Sequence, residues 1–223
     1  KDTAKGPDVG TYYMGLTAGD FTVTSSNYSN IKVNVVDGYL EITPITDKVT
    51  VTVTEKSASY VFDGTEHSIT GYKTMTADNA LYDIADVAET PTAAWTAKGT
   101  DANKYPVGIA AADFENTSAN FTNVEFVIVD GELEITPITD KVTVTITGNH
   151  ASKVYNTAEQ SVTGYTTDVG SKTISVALKT AGKDTAKGTD VGTYYMGLTA
   201  GDFTVTSSNY SNIKVNVVDG YLE

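Results

Sequence analysis

The chain has 223 residues, a formal net charge of −13, fifteen basic residues that are all lysine, and no cysteine. That charge argues against nucleic acid and anionic membrane surfaces as partners, since phosphate binding needs clustered cations. The missing cysteine excludes disulfides, thiolate metal sites and cysteine nucleophiles. Thr, Val, Ser, Asn, Gly and Tyr are abundant, a composition of strand and turn formers, and no apolar run is long enough to cross a bilayer as a helix.

In chain order, residues 10–16 (GTYYMGL) and 21–24 (FTVT) read as strands, and the cluster SSNYSN at 25–30 reads as a turn. Residues 31–35 and 39–43 flank Asp37-Gly38. Asp-Gly between alternating apolar residues predicts a hairpin, because glycine accepts positive φ without steric cost. Residues 49–54 alternate Val and Thr strictly, as do 142–147 apart from Ile146 in place of Val; this is the period of a strand with one buried face. Residues 59–62 and 153–155 come next, each followed by a turn at Asp63-Gly64 or Asn156-Thr157. Residues 68–72 and 161–165 are short strands ending near a Gly. The apolar spacing of 79–87 fits both a short helix and a strand; its counterpart 172–178 (KTISVAL) reads as strand, so a strand is expected in both.

The elements recur. Residues 1–41 return as 183–223 with a single change, Thr189 in place of Pro7. A more divergent copy lies between them, with Asp101, Asp113 and Asp130-Gly131 aligned to Asp190, Asp202 and Asp219-Gly220. The segment VDG-x-LEITPITDKVTVT, at 36–52 and again at 129–145, closes one repeat and opens the next. Residues 1–43 therefore read as the C-terminal part of a preceding repeat, and 44–136 and 137–223 as complete repeats. Only Thr-Pro-Ile-Thr separates them, and Pro44 and Pro137 fix φ at the join. Six to eight strands in about 90 residues predict an all-β chain of tandem small β-sandwich, Ig-like modules arranged as a rod.

Candidate chemistry is sparse, and no residue is assigned a catalytic, cofactor-binding or metal role. His67 and His150 align with Gln160 and Ser57, so neither belongs to a repeated constellation, and both read as exposed polar side chains. The repeated carboxylates are Asp8, Asp101 and Asp190; Asp20, Asp113 and Asp202; Asp37, Asp130 and Asp219. They flank turns, where Asp accepts local backbone N–H groups. Calcium would need six to eight converging oxygens, and no D-x-D-x-D-G loop occurs. A Lys–Asn isopeptide bond could join Lys48 or Lys141 to Asn30, Asn123 or Asn212; lysine at a strand start also discourages edge pairing, the plainer reading. The N-x-S/T sites at Asn27, Asn116, Asn120 and Asn209 read as turn residues. In Tyr12-Tyr13 and Tyr194-Tyr195 one ring is expected in the core and the other outward, packed on a neighbour rather than stacked on a sugar.

The string GTYYMGLTAGDFTVTSSNYSNIKVNVVDGYLEITP resembles the MBG-type repeats of large bacterial surface proteins, with their Gly-Thr-Tyr start, an Asn-Tyr before the penultimate strand and a closing D-G-x-L-x-I-T-P. VTVTITGNHASKVYNTAEQSVTGY is similar to the front half of such repeats in adhesins of Gram-positive gut Firmicutes. The resemblance implies a secreted, cell-wall-anchored protein whose tandem modules serve as stalks or adhesive surfaces; a filament subunit is a further reading, and an enzyme is not expected because no acid/base set is repeated. The partners would be neighbouring repeats of the same chain or other copies of it. An adhesive module binding host glycan or protein is the alternative, with residues 73–96 around Trp95 as its expected surface.

Overall fold

A strand that alternates Val and Thr can bury one row of side chains while the other row faces out, and such a strand sits at the middle of each principal sheet. The computed structural model describes residues 2–91 and 93–223; Lys1, which opens the leading repeat, and Thr92, in the 73–96 segment, lie outside the described residues. The chain is all-β, 44% strand and 5% helix, in several small sheets of β-sandwich-like character. It divides into two compact units, one comprising Lys1–Lys56, Thr70–Thr96 and Val107–Gly131, the other Ser57–Ile69, Ala97–Pro106 and Glu132–Glu223. The 44–136 stretch contributes to both.

In the first unit Val49–Glu55 is the middle strand of three, parallel to Val124–Val129 and antiparallel to Tyr72–Ala77. Val49, Val51 and Val53 are fully buried, each a side chain worth about 1.5–3 kcal/mol of transfer free energy. Tyr82 and Phe121 join Val49 and Val51 in one apolar cluster, with Met75 and Phe126 against it. The pair Val87–Glu89 and Phe114–Asn116 carries Phe114, whose ring stacks on Trp95 and Phe126 at centroid distances of 5.4 and 5.6 Å.

The second unit repeats the arrangement. Val142–Gly148 lies between Ile213–Val218, parallel, and Tyr165–Asp168, antiparallel. Val144 and Ile146 pack with Met196, Leu198, Phe203 and Leu222. A further sheet has Glu132–Thr136 between Ala58–Val61, parallel, and Asn103–Pro106, antiparallel, burying Leu133 and Ile135. His150–Ala151, Tyr221–Leu222 and Tyr194–Tyr195 form its shorter counterpart.

Four sequence-based expectations are corrected. The Asp-Gly steps do not close hairpins: Val124–Val129 and Glu132–Thr136 pair with different strands, in different sheets. Gly131 and Gly220 are needed for close approach rather than for positive φ, since a Cβ on Gly131 would lie 2.2 Å from the Lys56 carbonyl oxygen and one on Gly220 2.5 Å from that of Asn149. Residues 79–86 form a turn and a 3-10 turn at Ile84–Asp86 capped by Asp83, and the strand begins only at Val87. In its counterpart the strand is Ser175–Leu178. Residues 153–155 are not a strand: the Lys153 amide donates to the Glu223 carbonyl, and Val154 beyond it is 89% exposed.

The fourth correction sets two nearly identical strings against each other. Residues 203–206 and 213–218 are strands, whereas 21–24 and 31–36 are not. Ser175–Leu178 pairs with the first of these strands and Val142–Gly148 with the second, while among the described residues no strand lies alongside 21–36. Both copies keep the pairing of their outer segments, Tyr12 opposite Leu40 and Tyr194 opposite Leu222. Sequence is almost constant here, so the tertiary partner alone makes the strand.

Candidate functional site

The most specific polar constellation is built twice, once inside each unit, around the asparagine of the Asn-Phe and Asn-Tyr steps. In the first unit the Val9 amide donates to Asn120 Oδ1 at 2.7 Å, and Asn120 Nδ2 donates to Asp8 Oδ1 at 3.0 Å. In the second the Ala102 amide donates to Asn209 Oδ1 at 2.7 Å, and Asn209 Nδ2 donates to Asp101 Oδ1 at 2.8 Å. Each asparagine thus joins the Asp loop of one copy of the repeat to the turn of the next. The amide's oxygen meets a donor and its nitrogen an acceptor, so both halves of the side chain are satisfied. Asn209 is fully buried, where a hydrogen bond to a charged partner contributes about 1.5–3 kcal/mol.

The backbone around the asparagines is tied in the same way. The Ile45 amide donates to the Asn120 carbonyl at 2.8 Å and the Ile138 amide to that of Asn209 at 2.9 Å; Thr122 and Ser211 donate back to Ile45 and Ile138. Asn123 Nδ2 and Asn212 Nδ2 each donate at 3.2 Å, to the Thr46 and Thr139 carbonyls. In the second unit Tyr210 also sets its ring edge-on to Phe62, at 5.9 Å.

A tyrosine shapes the loop that presents each aspartate. Tyr12, Tyr105 and Tyr194 donate their hydroxyls to the Asp8, Asp101 and Asp190 carbonyls. Their rings lie over Gly6, Gly99 and Gly188, where an added Cβ would come within 2.0 to 2.2 Å of the ring. The repeated Ala-Lys-Gly therefore requires its glycine for space. The second tyrosine of each Tyr-Tyr step is outward: Tyr13 and Tyr195 are 65% and 67% exposed and tilt against Tyr39 and Tyr221.

Every other carboxylate set has local work. Asp37 accepts the Gly15 and Leu16 amides, and Asp219 the Gly197 and Leu198 amides. In the 44–136 repeat Asp130 is replaced in this role by the buried Glu55, which accepts Ile109 at 2.6 Å and Gly131 at 2.7 Å; nothing in the turn's own sequence signals that exchange. Asp20 and Asp202 accept the amides and hydroxyls of Thr17 and Thr199. These bonds, with Lys183 and Lys179 nearby, hold the Asp202 carboxyl below the usual carboxylate range. Asp113 accepts from the Trp95 indole at 2.9 Å and from the Ala110 amide. Among the described residues no group of three or more His, Asp or Glu side chains could hold a metal ion.

The remaining sequence candidates are also placed. Lys48 pairs with Glu125 on the adjacent strand, and Asn123 and Asn212 spend their amide groups on backbone carbonyls. Of the N-x-S/T sites, Asn120 and Asn209 form the joints and Asn116 donates to the Phe121 carbonyl while accepting from Tyr82; Asn27 is exposed. His67 is not simply exposed: its ring stacks on Tyr60 at 4.1 Å and its Nε2 lies 3.1 Å from Asp63. His150 stacks on Tyr221 at 5.5 Å. Trp95 is half-buried on Phe114 rather than presented outward. A cavity of about 160 Å³ is lined by Tyr155, Asp190, Val191, Tyr194 and Leu222 in the second unit.

No family model, curated protein or solved structure matches the chain.

Proposed function

We propose that the chain is a run of structural spacer repeats from a bacterial cell-surface adhesin or surface filament, extracellular and wall-anchored, that projects a distal region away from the cell. The observation that carries this reading is the twice-built asparagine joint, made by the same atoms at Asn120 and at Asn209. A spacer must repeat one inter-repeat geometry, and a two-point amide bridge between copies, fully buried at Asn209 and half-buried at Asn120, is a way of specifying it. The four-residue linkers with Pro44 and Pro137, the acidic balance that keeps an exposed β-surface soluble, and the resemblance to MBG-type repeats support the same reading. The repeats 44–136 and 137–223, with 1–43 as the C-terminal part of a preceding one, then act as β-sandwich modules along a rod.

Small-angle X-ray scattering tests this. A compact chain of 223 residues has a radius of gyration of about 17 Å. Two modules in line make a rod on the order of 80 Å long, and the preceding part-module lengthens it, so the expected radius is above about 25 Å with a constant cross-section. A value near that of the compact chain contradicts the spacer reading.

A further inference from the structure

Two of the three copies of the repeat carry the same pair of facing phenols. Tyr13 lies directly opposite Tyr39, and Tyr195 directly opposite Tyr221, on neighbouring antiparallel strands. The next pair along each ladder is hydrogen-bonded, the Met14 amide donating to the Gly38 carbonyl and the Met196 amide to that of Gly220, both at 2.9 Å. Bonded and non-bonded pairs alternate in an antiparallel ladder, so each tyrosine pair occupies a non-bonded site, where side chains stand closest. The ring centroids are 5.9 and 6.0 Å apart, and both pairs are tilted by 54°. Of the ring contacts among the described residues, only these two join tyrosine to tyrosine. The first pair is followed in sequence by a further repeat, and the second is preceded by its repeat's own front half; the outward ring, Tyr13 or Tyr195, is exposed in both settings. In the 44–136 copy the same two positions hold Pro106 and Glu132.

We propose that Tyr13–Tyr39 and Tyr195–Tyr221 are sites of oxidative cross-linking, each pair joining by a carbon–carbon bond between ring carbons ortho to the hydroxyls. The co-reactant is hydrogen peroxide used by a haem peroxidase, which removes one electron and one phenolic proton from each ring. The two phenoxyl radicals couple, and the hydrogen displaced from each coupling carbon returns to a phenol oxygen as the rings regain aromaticity. Per pair, two hydrogens leave the protein and reduce one peroxide to two waters. Both rings project from one face of the ladder, so rotation about their side-chain torsions brings the ring edges together without backbone movement. His150, stacked on Tyr221 at 5.5 Å, comes from the strand on the side away from Tyr195 and does not lie between the two tyrosines. The chain has no cysteine to be oxidised in their place, and its net charge of −13 opposes coupling between separate chains. Each bond ties two strands distant in sequence and constrains the unfolded chain as a disulfide does. This goes beyond the spacer reading: it assigns a modification site and does not depend on where the protein resides.

The test uses the whole chain, treated with a haem peroxidase and hydrogen peroxide under conditions that couple free tyrosine, then digested at lysine. The expected product is lighter by four hydrogens and yields two linked peptide pairs, 6–32 with 33–48 and 188–214 with 215–223. Fragmentation places the bonds at Tyr13–Tyr39 and Tyr195–Tyr221, and Pro7 against Thr189 distinguishes the peptides of the two copies. The yield stays constant on dilution of the chain. Tyr39→Phe with Tyr221→Phe, which keeps both rings in place, abolishes both bonds. Tyrosines left unlinked, or bonds placed at Tyr12 or Tyr28 instead, overturn the proposal. So do links between chains whose yield rises with concentration. Peptide 6–32 joined to 215–223 would likewise overturn it, by showing coupling between copies rather than across one ladder.

Discussion

At the scale of single residues, small exchanges move a role from one position to another without changing the contact made. The Leu198 amide is capped by Asp219 from the Asp-Gly step, whereas the equivalent Ile109 amide is capped by Glu55 from the neighbouring strand. Where the third copy has Gly148 in place of Glu55, a Cβ would lie 2.4 Å from the Gly220 nitrogen, so the carboxylate and the close approach are alternatives at one position. Asp63 shows a purely local effect. Its carboxyl accepts the hydroxyl and amide of Thr65 and faces His67, and is held down at about 2. An unfolded Asp titrates near 4. Because the folded value is the lower one, the turn's contribution is present above pH ~4 and is lost as pH falls through ~2. A 13C titration of the Asp63 carboxyl should give a midpoint near that low value, and Thr65→Val should raise it; an ordinary midpoint in the parent chain would refute the assignment.

At the scale of elements, the alternating Val/Thr strands were legible because period two with one buried face has a single reading, and 49–54 and 142–147 are the central strands of their sheets. The Asp-Gly hairpin was misread because its local signal is shared by a different use of glycine. The aspartate's partners lie 21 and 22 residues upstream, and the backbone against Gly131 and Gly220 is that of Lys56 and Asn149, just past the ends of the central strands. Neither is visible in a window of a few residues. The strands expected at 21–24 and 31–35 do not form for a related reason: pattern specifies which side chains would be buried, and among the described residues no strand lies alongside to bury them. The joints were partly legible, since Asn-Tyr and Asp were recognised as repeated, but their pairing across 107 to 112 residues was not. Glycine's role as a spacer predicts that Gly131→Ala lowers stability by about 2 kcal/mol or more, as overpacking does. Chemical denaturation measures this. Gly64→Ala, with open space around it but φ at +80°, should cost less, about 1 kcal/mol.

At the scale of the whole molecule, a spacer of tandem repeats depends on how sharply each repeat fixes the next. Stability in such arrays is close to a sum of repeat and nearest-neighbour terms, and the asparagine joint is the part of the neighbour term with a defined geometry. Replacing Asn209 by Asp keeps its shape but sets two carboxylates against each other at hydrogen-bond distance, with the donor to Asp101 removed. Adding Asp101→Asn restores a donor and an acceptor with their positions reversed, and the Ala102 amide still has an oxygen to meet.

The chain lacks native cysteine, so spin labels at Lys98→Cys and Lys187→Cys, equivalent exposed positions in consecutive repeats, report on one joint only. Pulsed electron–electron resonance between them is the most direct measurement of whether that joint sets the geometry. A narrow distance distribution in the parent, broadened by Asn209→Asp and narrowed again by Asp101→Asn with Asn209→Asp, is the predicted result. A distribution that is broad in the parent, or equally narrow in all three proteins, would contradict the claim that the asparagine joint holds successive repeats in register.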